Sequence, residues 1–179
     1  MHKKHSVFIL LSIQLSAAVI LALINPIGDY IVRSKGTEYT FEASTVSCYG
    51  DYTDKMYICC HAKYAFDHNR FTDSRNYAVI ETDKNGLSYI SELTDTRPES
   101  SYLGTKHKSH LYFDNFTQEL DYNIFKKSFK MNPPLFDRDS ASDGYNFTFK
   151  AYVYNGKAVL DKILVNGIEI NEFLANQKE

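Results

Sequence analysis

The 179-residue sequence lacks the short motifs by which many catalytic and nucleotide-binding sites are recognised. It contains no Gly-x-Ser-x-Gly elbow for a nucleophilic serine, no glycine-rich phosphate loop and no internal repeat. It holds three cysteines, none of them in the Cys-x-x-Cys spacing of dithiol redox sites. The sequence therefore supports no catalytic residue and no cofactor, and it favours a protein that is not an enzyme.

A clustered basic surface is also missing from the sequence. The formal net charge is −2, and without Lys3 and Lys4 the rest of the chain carries about −4. The nearest basic cluster is FKKSFK, residues 125–130, a pattern typical of a solvated helix face. Because phosphate binding needs clustered lysines and arginines, we expect no nucleic-acid partner.

The N-terminus carries the longest apolar stretch of the chain. The run VFILLSIQLSAAVILALINPIG, from Val7 to Gly28, contains no charged residue. A bilayer core needs about 20 apolar residues in a helix, whereas the apolar part of a signal peptide has about 7–15. The length favours an uncleaved transmembrane anchor, which Pro26 and Gly28 are predicted to end.

Two other interpretations of this segment stay open. Ser16-Ala17-Ala18 or Ala22 could serve as a poor cleavage site, in which case the rest of the chain would be a secreted soluble domain. A buried helix of a soluble protein is less favoured, because no polar residue recurs at helical spacing to mark a solvated face.

Charge at the N-terminus predicts the orientation of the anchor. Lys3 and Lys4 stand before the apolar run, and basic flanks of membrane helices tend to stay in the cytoplasm. We therefore expect two parts: residues 1–28 as a cytoplasmic tip and anchor, and residues 29–179 as an extracytoplasmic domain.

The body of the chain has the patterns of a β-rich domain. Residues 37–46, TEYTFEASTV, alternate apolar and polar side chains with the period of a half-buried strand. KMYICCHAKYAF is a second strand-like run, and NYAVIETDKNGLSYISEL holds two more, joined through Asn85-Gly86. Because Asn-Gly tolerates positive φ at both central turn positions, this last stretch is predicted to form a hairpin.

The C-terminal part shows the clearest alternation. Residues 145–170 contain turns at Asn155-Gly156 and Asn166-Gly167 and are predicted to form a three-strand meander. Residues 117–134, TQELDYNIFKKSFKMNPP, space their apolar residues as a short helix does. The predicted fold class is α+β, mainly β: a transmembrane helix, then a small antiparallel barrel- or sandwich-like domain of roughly six to eight strands with one short helix.

Several phrases of the sequence resemble an uncharacterised family of small bacterial membrane proteins with a single span. The family is named after the motif Gly-Asp-Tyr-x-x-x-Leu-x-x-Arg-Gly. KGTEYTF at the start of the body, YAVIETDKNGLSYISEL in the middle and GKAVLDKILVNGIEINEFL near the C-terminus resemble its phrases. The similarity thus touches both ends and the middle of the chain.

The motif that names the family is altered in this chain. In GDYTDKMYICC, Gly50-Asp51-Tyr52 stand in order, Met56 takes the leucine place and Cys59-Cys60 take the Arg-Gly places. The resemblance implies no enzyme activity. It implies a location, namely a single pass through the inner (cytoplasmic) membrane of a bacterium with the C-terminal domain outside.

The cysteines allow three interpretations. Cys48 bridged to Cys59 or Cys60 would close a loop of about a dozen residues, worth roughly 3 kcal/mol in the chain-entropy model. Adjacent strand residues point to opposite faces, so a bridge between Cys59 and Cys60 would need unusual geometry. Buried thiols are favoured, the Cys48 disulfide comes second, and a redox or metal role comes last.

The histidines do not strengthen the metal interpretation. His61 follows the cysteine pair, and His107 and His110 lie downstream in a polar loop. Known zinc modules use ligand pairs separated by two to four residues on a tight turn, a spacing that only His107 and His110 approach. We therefore predict no metal site.

The favoured function is a membrane-anchored envelope protein whose outer domain binds a protein, a glycan or another envelope component, or serves as a structural module. The alternative from another class is a periplasmic thiol-redox or hydrolytic enzyme that uses the region of Cys48, Cys59, Cys60 and His61.

Overall fold

A computed structural model describes residues 2–50, 55–66, 76–104, 115–120, 138–139 and 145–176. Within these residues the chain is mainly β with a long N-terminal helix and one short helix, which confirms the predicted fold class, although the short helix lies at the C-terminus rather than within residues 117–134. The helices are α1 (His2–Lys35) and α2 (Ile170–Asn176). The strands are β1 (Thr37–Gly50), β2 (Met56–Ala62), β3 (Tyr77–Thr82), β4 (Ser88–Thr94), β5 (Tyr102–Gly104), β6 (Asn115–Leu120), β7 (Arg138–Asp139), β8 (Phe147–Tyr154), β9 (Lys157–Val165) and β10 (Ile168–Glu169).

The sequence predicts that helix α1 ends at Pro26 and Gly28. In the structure α1 continues to Lys35, with Pro26 inside it. A proline removes one backbone hydrogen bond and usually stops a helix in water. Here the segment after Gly28 is held by tertiary contacts, since Val32 is buried against the β-rich domain. Packing of this kind outweighs local propensity, so the last two turns stay helical.

Gly36 marks the junction between α1 and β1. Its N–H donates to the carbonyl of Val32 at 2.8 Å, which closes the last helical turn. A Cβ at this position would lie 2.4 Å from that oxygen and 3.0 Å from the carbonyl oxygen of Val153 on β8. The chain therefore passes from helix to strand through one residue, without a linker.

Strand β1 is the longest of the described strands, and a bulge at Ser44 divides it. Before the bulge the buried side chains are Phe41 and Ala43, and after it the buried one is Val46, so the buried positions change from odd to even numbers. The Ser44 hydroxyl donates to the carbonyl of His61 at 3.3 Å. A bulge adds one residue to one strand of a pair and bends it, which here keeps both halves of β1 facing the same core.

The two halves of β1 belong to two parts of the sheet. The first half of β1 lies between β8 and β4 and pairs with both. The order of the described strands in this part is β10-β9-β8-β1-β4-β3-β5. The second half pairs with β2, which pairs with β6, and with the short β7. The β1–β4 contact is parallel and the other strand pairs are antiparallel. The sheet is open rather than a closed barrel, although Gly104 on β5 donates to the carbonyl of Gly156 in the β8–β9 turn at 2.7 Å.

Three phenylalanines join the two parts of the sheet. Phe41 on β1 and Phe149 on β8 stack with ring centroids 5.1 Å apart, and both are fully buried. Phe116 on β6 lies 5.8 Å from Phe41 and 4.5 Å from Phe149, measured between ring centroids. Through these ring contacts the side chain of Phe116 on β6 packs in the same core as Phe41 and Phe149.

The three Asn-Gly pairs close hairpins, but not all in the same way. Asn155 with Gly156 and Asn166 with Gly167 both have positive φ at the two positions, between 51° and 83°, as expected of the tight turn. In the β3–β4 turn positive φ is found at Gly86, and the Asp83 carboxylate accepts the N–H groups of residues 85 and 87 at 2.8 and 2.9 Å. The predicted hairpin is present, with a wider turn than predicted.

Two sequence predictions in the second half of the chain need correction. The helix predicted for residues 117–134 cannot begin at Thr117, because Asn115–Leu120 is strand β6; residues 121–134 lie outside the described residues. The third strand of the meander has two residues, Ile168–Glu169, and helix α2 follows it. Ile170 and Leu174 are four residues apart, so a helix places both side chains on one face. Both are buried in the core.

Gly156 and Gly167, in the two tight turns, allow the cost of a packing clash with Tyr102 on β5 to be separated from the cost of positive φ. Alanine at Gly167 and at Gly156 would meet the same cost of positive φ, about 1–2 kcal/mol each. At Gly167 a Cβ would meet nothing within 4 Å, whereas at Gly156 it would lie 2.7 Å from Cε2 of Tyr102. We expect Gly156→Ala to lower the free energy of unfolding by about 1–2 kcal/mol more than Gly167→Ala does. Urea denaturation of both variants measures the difference, and equal losses would show that the Tyr102 ring yields without cost.

Candidate functional site

Strand β2 turns its two adjacent cysteines to opposite sides of the sheet. Cys60 is fully buried and packs in the same core as Ile58 and Phe116. Cys59 is 3% exposed on the other face, where its sulfur lies 3.7 Å from Nε2 of His61. Both cysteines are present as thiols.

Burial suppresses the reactivity of the Cys60 thiol. Burial raises the pKa of the Cys60 thiol well above its usual range, and the neighbouring Cys59 raises it further. Because the thiolate is the nucleophile and the metal ligand, Cys60 is an inert core residue at neutral pH. Any thiol chemistry in this region would fall to Cys59.

The strand register does not bring Cys48 opposite either of the other cysteines. Cys48 on β1 pairs with Ile58 on β2, while the partners of Cys59 and Cys60 are Ser47 and Val46. Diagonal neighbours on one face are about 7–8 Å apart, beyond the usual Cα separation of a disulfide. The register disfavours the Cys48 disulfide. The pairing itself stays a prediction, because the Cys48 side chain lies outside the described part of the chain.

The stretch GDYTDKMYICC, which resembles the family motif, runs from the end of β1 into β2. Gly50 and Met56 are register partners at the ends of the two strands, and residues 51–54, which include Asp51 and Tyr52, lie outside the described residues. The Cys59-Cys60 pair occupies the middle of β2, at backbone positions paired to both β1 and β6. Cys59 and Cys60 therefore lie on a strand that has a paired neighbour on each side.

Of the three histidines in the metal hypothesis, His61 lies within the described residues. His107 and His110 lie outside the described ranges, and His61 contacts Cys59 as stated above. No group of three or more His, Cys, Asp or Glu side chains that could hold a metal ion occurs among the residues that the structure describes.

A polar site that the sequence did not reveal lies where α1 meets the domain. Arg33 donates from Nη1 to the Asp161 carboxylate at 2.8 Å and from Nη2 to the carbonyl of Leu160 at 2.6 Å. Its guanidinium carbon also lies 5.9 Å from the centre of the Tyr152 ring. These contacts join residues more than 100 positions apart in the chain, so no local pattern indicates them.

A second ion pair adjoins the Arg33 contacts on the outer face of β1 and β8. Lys150 Nζ lies 2.7 Å from Oε1 of Glu38, and this hydrogen bond lowers the pKa of the Glu38 carboxyl and raises the pKa of Lys150. The Tyr152 hydroxyl hydrogen-bonds the same carboxylate, which raises the pKa of the tyrosine. Lys162 is close enough to add to the depression of the Glu38 pKa. We call Arg33, Glu38, Lys150, Tyr152, Asp161 and Lys162 the helix-exit cluster.

Arg33 of the helix-exit cluster and Gln118 on β6 cover the part of β9 that precedes its short pairing with β10. Outer strands expose unpaired backbone groups on which another chain can add a strand. Here the carbonyl of Leu160 is bound by Arg33, and the N–H of Ile163 donates to the side-chain oxygen of Gln118 at 3.0 Å. The Gln118 amide nitrogen in turn donates to Glu169 at 2.9 Å. This part of the edge is therefore occupied by α1 and β6, which ties α1 into the fold.

The comparisons with known proteins give no relative from which a function can be transferred. No family model, no curated protein and no solved structure matches the chain. The family resemblance drawn from the sequence phrases stays a prediction.

Proposed function

We propose that the chain is a membrane-anchored envelope protein of a bacterium, with a single pass through the inner (cytoplasmic) membrane. The β-rich domain, residues 29–179, then lies outside the cytoplasm and acts as a binding or structural module for an envelope protein or glycan. The membrane is its first partner, through α1, and the mechanism is one of positioning rather than chemistry.

The observation that carries the proposal is the exposure of α1. Among the described residues, one helical segment, Ser12–Lys35, is long and apolar enough to cross a membrane by length and composition. Its large apolar side chains are exposed rather than packed: Ile13, Leu15, Val19, Ile20, Leu21, Leu23, Ile24, Ile27 and Ile31. Water would disfavour this surface by about 25 cal/mol per Å² of apolar area, whereas lipid chains would cover it.

The docking of the last turn favours an anchor over a cleaved signal, although a signal sequence has the same length and composition. Val32 and Arg33 fix α1 to the domain. Cleavage after Ala18 or Ala22 would leave Leu23, Ile24 and Ile27 exposed to water on a helix that the domain holds. An uncleaved helix keeps these side chains in lipid.

Membrane extraction combined with intact mass tests the anchor. We expect the full-length protein to stay with membranes during an alkaline carbonate wash and to be released by detergent, with the mass of the untrimmed chain. Recovery of the untrimmed chain in the soluble fraction would contradict a membrane anchor. A mass that lacks residues 1 to about 18 or 22 would instead support the secreted soluble domain, since signal cleavage removes the leading helix.

A reporter fused after Glu179 tests the orientation. Lys3 and Lys4 as the cytoplasmic flank put the C-terminus outside, whereas Arg33 and Lys35 at the other end of α1 would favour the reverse, so the reporter decides between the two orientations. We expect activity from a fused phosphatase that folds only outside the cytoplasm and no signal from a fluorescent protein that folds only inside. The reverse pattern would invert the proposed topology.

A second candidate function, thiol chemistry outside the cytoplasm, is favoured by the 3.7 Å contact between Cys59 and His61. An imidazole next to a thiol can take its proton and make it nucleophilic. The pairing lies on the face of β2 opposite the core, and the two residues are separated by one position in the strand.

Alkylation of single-cysteine variants separates the two candidates. Cys48→Ser/Cys59→Ser leaves Cys60, which we expect to react with iodoacetamide at least roughly 100-fold more slowly than after unfolding, because the core must open first. Cys48→Ser/Cys60→Ser leaves Cys59, and a slow reaction there supports the binding module. A fast reaction of Cys59 that His61→Gln abolishes would support the thiol candidate.

A further inference from the structure

The distance between the bilayer and the domain is set by a short rigid segment. The uncharged run ends at Gly28, and α1 continues through Asp29–Lys35 before β1 starts at Thr37. Seven helical residues span about 10 Å. The headgroup layer on each side of the hydrocarbon is about 5–8 Å thick. With α1 inserted as proposed above, the first strand therefore begins within a few Å of the outer limit of the headgroups.

The orientation of the domain at this height is fixed as well. Gly36 leaves no flexible linker, and Arg33 binds β9 through Asp161 and Leu160. Strand β8 runs antiparallel to β1, so it returns toward the helix exit, where Val153 pairs with Thr37. The β8–β9 turn consequently lies on the side of the domain where the helix leaves it.

The surface around the helix exit combines aromatic and basic side chains. Tyr30 is 72% exposed one turn before the docked residues, and Tyr154 is 38% exposed on β8, two positions or about 7 Å beyond Tyr152 on the same face. Tyrosines are enriched at the level of the headgroups, because an apolar ring and a polar hydroxyl suit that boundary. Lys35 and Lys157 are exposed beside them.

The charge of this region opposes the charge of the body. The region holds the basic residues Arg33, Lys35, Lys150, Lys157 and Lys162 and the acidic residues Asp29, Glu38 and Asp161. Because Arg33 is paired with Asp161 and Lys150 with Glu38, the basic excess rests on Lys35, Lys157 and Lys162. The chain after Lys4 carries about −4 in total, so the acidic excess lies elsewhere on the domain. A basic patch beside the membrane helix of an acidic protein matches the negative surface of anionic lipids.

We infer that the β8–β9 hairpin, together with Lys35, rests on the headgroups of anionic phospholipids in the bilayer that holds α1. This interaction surface deepens the proposed membrane anchor and depends on it. Lys35 and Lys157 contact lipid phosphates, and Tyr154 reaches into the headgroup layer. The domain is thereby held with one fixed side toward the membrane and its opposite side toward the envelope.

Tryptophan reporters test the surface, because the chain contains no tryptophan of its own. Three variants of the full-length protein each place one indole. The helix reporter is Tyr30→Trp and the hairpin reporter is Tyr154→Trp. The distal reporter is Tyr57→Trp on β2, opposite the far end of β1 and about 40 Å along that strand from Thr37.

Each reporter is reconstituted in vesicles of phosphatidylcholine with phosphatidylglycerol that contain a lipid with a nitroxide on its headgroup. A nitroxide quenches indole fluorescence at short range, so quenching measures contact with the headgroup layer. Circular dichroism and the urea midpoint check that each variant folds. Lys157→Trp replaces Tyr154→Trp as the hairpin reporter if the latter does not fold, and Lys35→Glu alone is then the charge variant.

Quenching of the hairpin and helix reporters, with no quenching of the distal reporter, is the expected result. We further expect Lys35→Glu/Lys157→Glu to weaken the quenching of the hairpin reporter, since each lysine near an anionic surface shifts the contact equilibrium roughly fivefold. An unquenched hairpin reporter beside a quenched helix reporter would overturn the inference and leave the anchor standing. Equal quenching of the hairpin reporter in vesicles of phosphatidylcholine alone would overturn the preference for anionic lipid. Failure of the protein to float with vesicles would contradict the anchor itself.

Discussion

Phe41→Ala is expected to lower the free energy of unfolding by about 3–5 kcal/mol, the usual cost of removing a buried phenylalanine. Phe41 is fully buried, and its ring stacks against Phe149 and Phe116, so its removal opens a cavity where the two parts of the sheet meet. Domains of this size are stable by about 5–15 kcal/mol in total. The variant therefore loses a large share of its stability through one side chain.

A conservative replacement at the same position separates packing from backbone effects. Phe41→Leu keeps most of the side-chain volume and is expected to cost roughly 1–2 kcal/mol. Urea denaturation of the full-length protein in detergent, followed by far-ultraviolet circular dichroism, measures both variants. If alanine costs no more than leucine, then Phe116 and Phe149 close the gap between them, and β1 does not organise the core as described.

The sequence predicts those parts of the fold that depend on neighbours in the chain. Alternation at Phe147, Phe149, Ala151 and Val153 gives β8 its buried face, and each of these side chains is buried. The tight turn at Asn155 follows from the tolerance of Asn-Gly for positive φ. Such signals concern a few adjacent residues, so they need no knowledge of the rest of the fold.

The sequence does not predict the features that depend on contacts between residues far apart in the chain. The bulge at Ser44 reverses the alternation of β1, and a sequence pattern of period two cannot continue across it. No local pattern assigns a partner to Phe116, because its two ring partners come from β1 and β8. The end of α1 at Lys35 likewise depends on Arg33 and Asp161, which the fold brings together.

The candidate thiol site follows in part from the sequence. The alternation that directs Cys60 and His61 to opposite faces also directs Cys59 and His61 to the same face, where they are in contact. The inert character of Cys60 cannot be inferred in this way. It results from burial under residues of β1 and β6, such as Val46 and Phe116, and these become its neighbours when the strands pair.

A single arginine in the apolar part of α1 gives the largest expected change in cellular location. Val19 is half exposed and lies near the middle of the uncharged run. On the biological insertion scale an arginine at the centre of a helix costs about 2.5–3.5 kcal/mol, and valine contributes a few tenths of a kcal/mol in favour. Val19→Arg is therefore expected to lower the ratio of inserted to non-inserted protein about 100-fold or more. Carbonate extraction of membranes, followed by immunoblotting of both fractions, measures that ratio.

Two control variants make the result specific to the hydrocarbon core. Val19→Ala removes the same side chain without adding charge and is expected to leave the protein in the membrane. Tyr30→Arg adds the same charge at the exposed boundary of α1, where a long basic side chain can extend into the headgroup layer. If Val19→Arg and Tyr30→Arg fractionate alike, position along α1 does not matter, and lipid is not what covers the helix. If α1 spans the membrane, Val19→Arg alone should be lost from the membrane fraction. The reason is that position 19 lies at the middle of the bilayer, where a charge meets only lipid, whereas position 30 lies at its boundary.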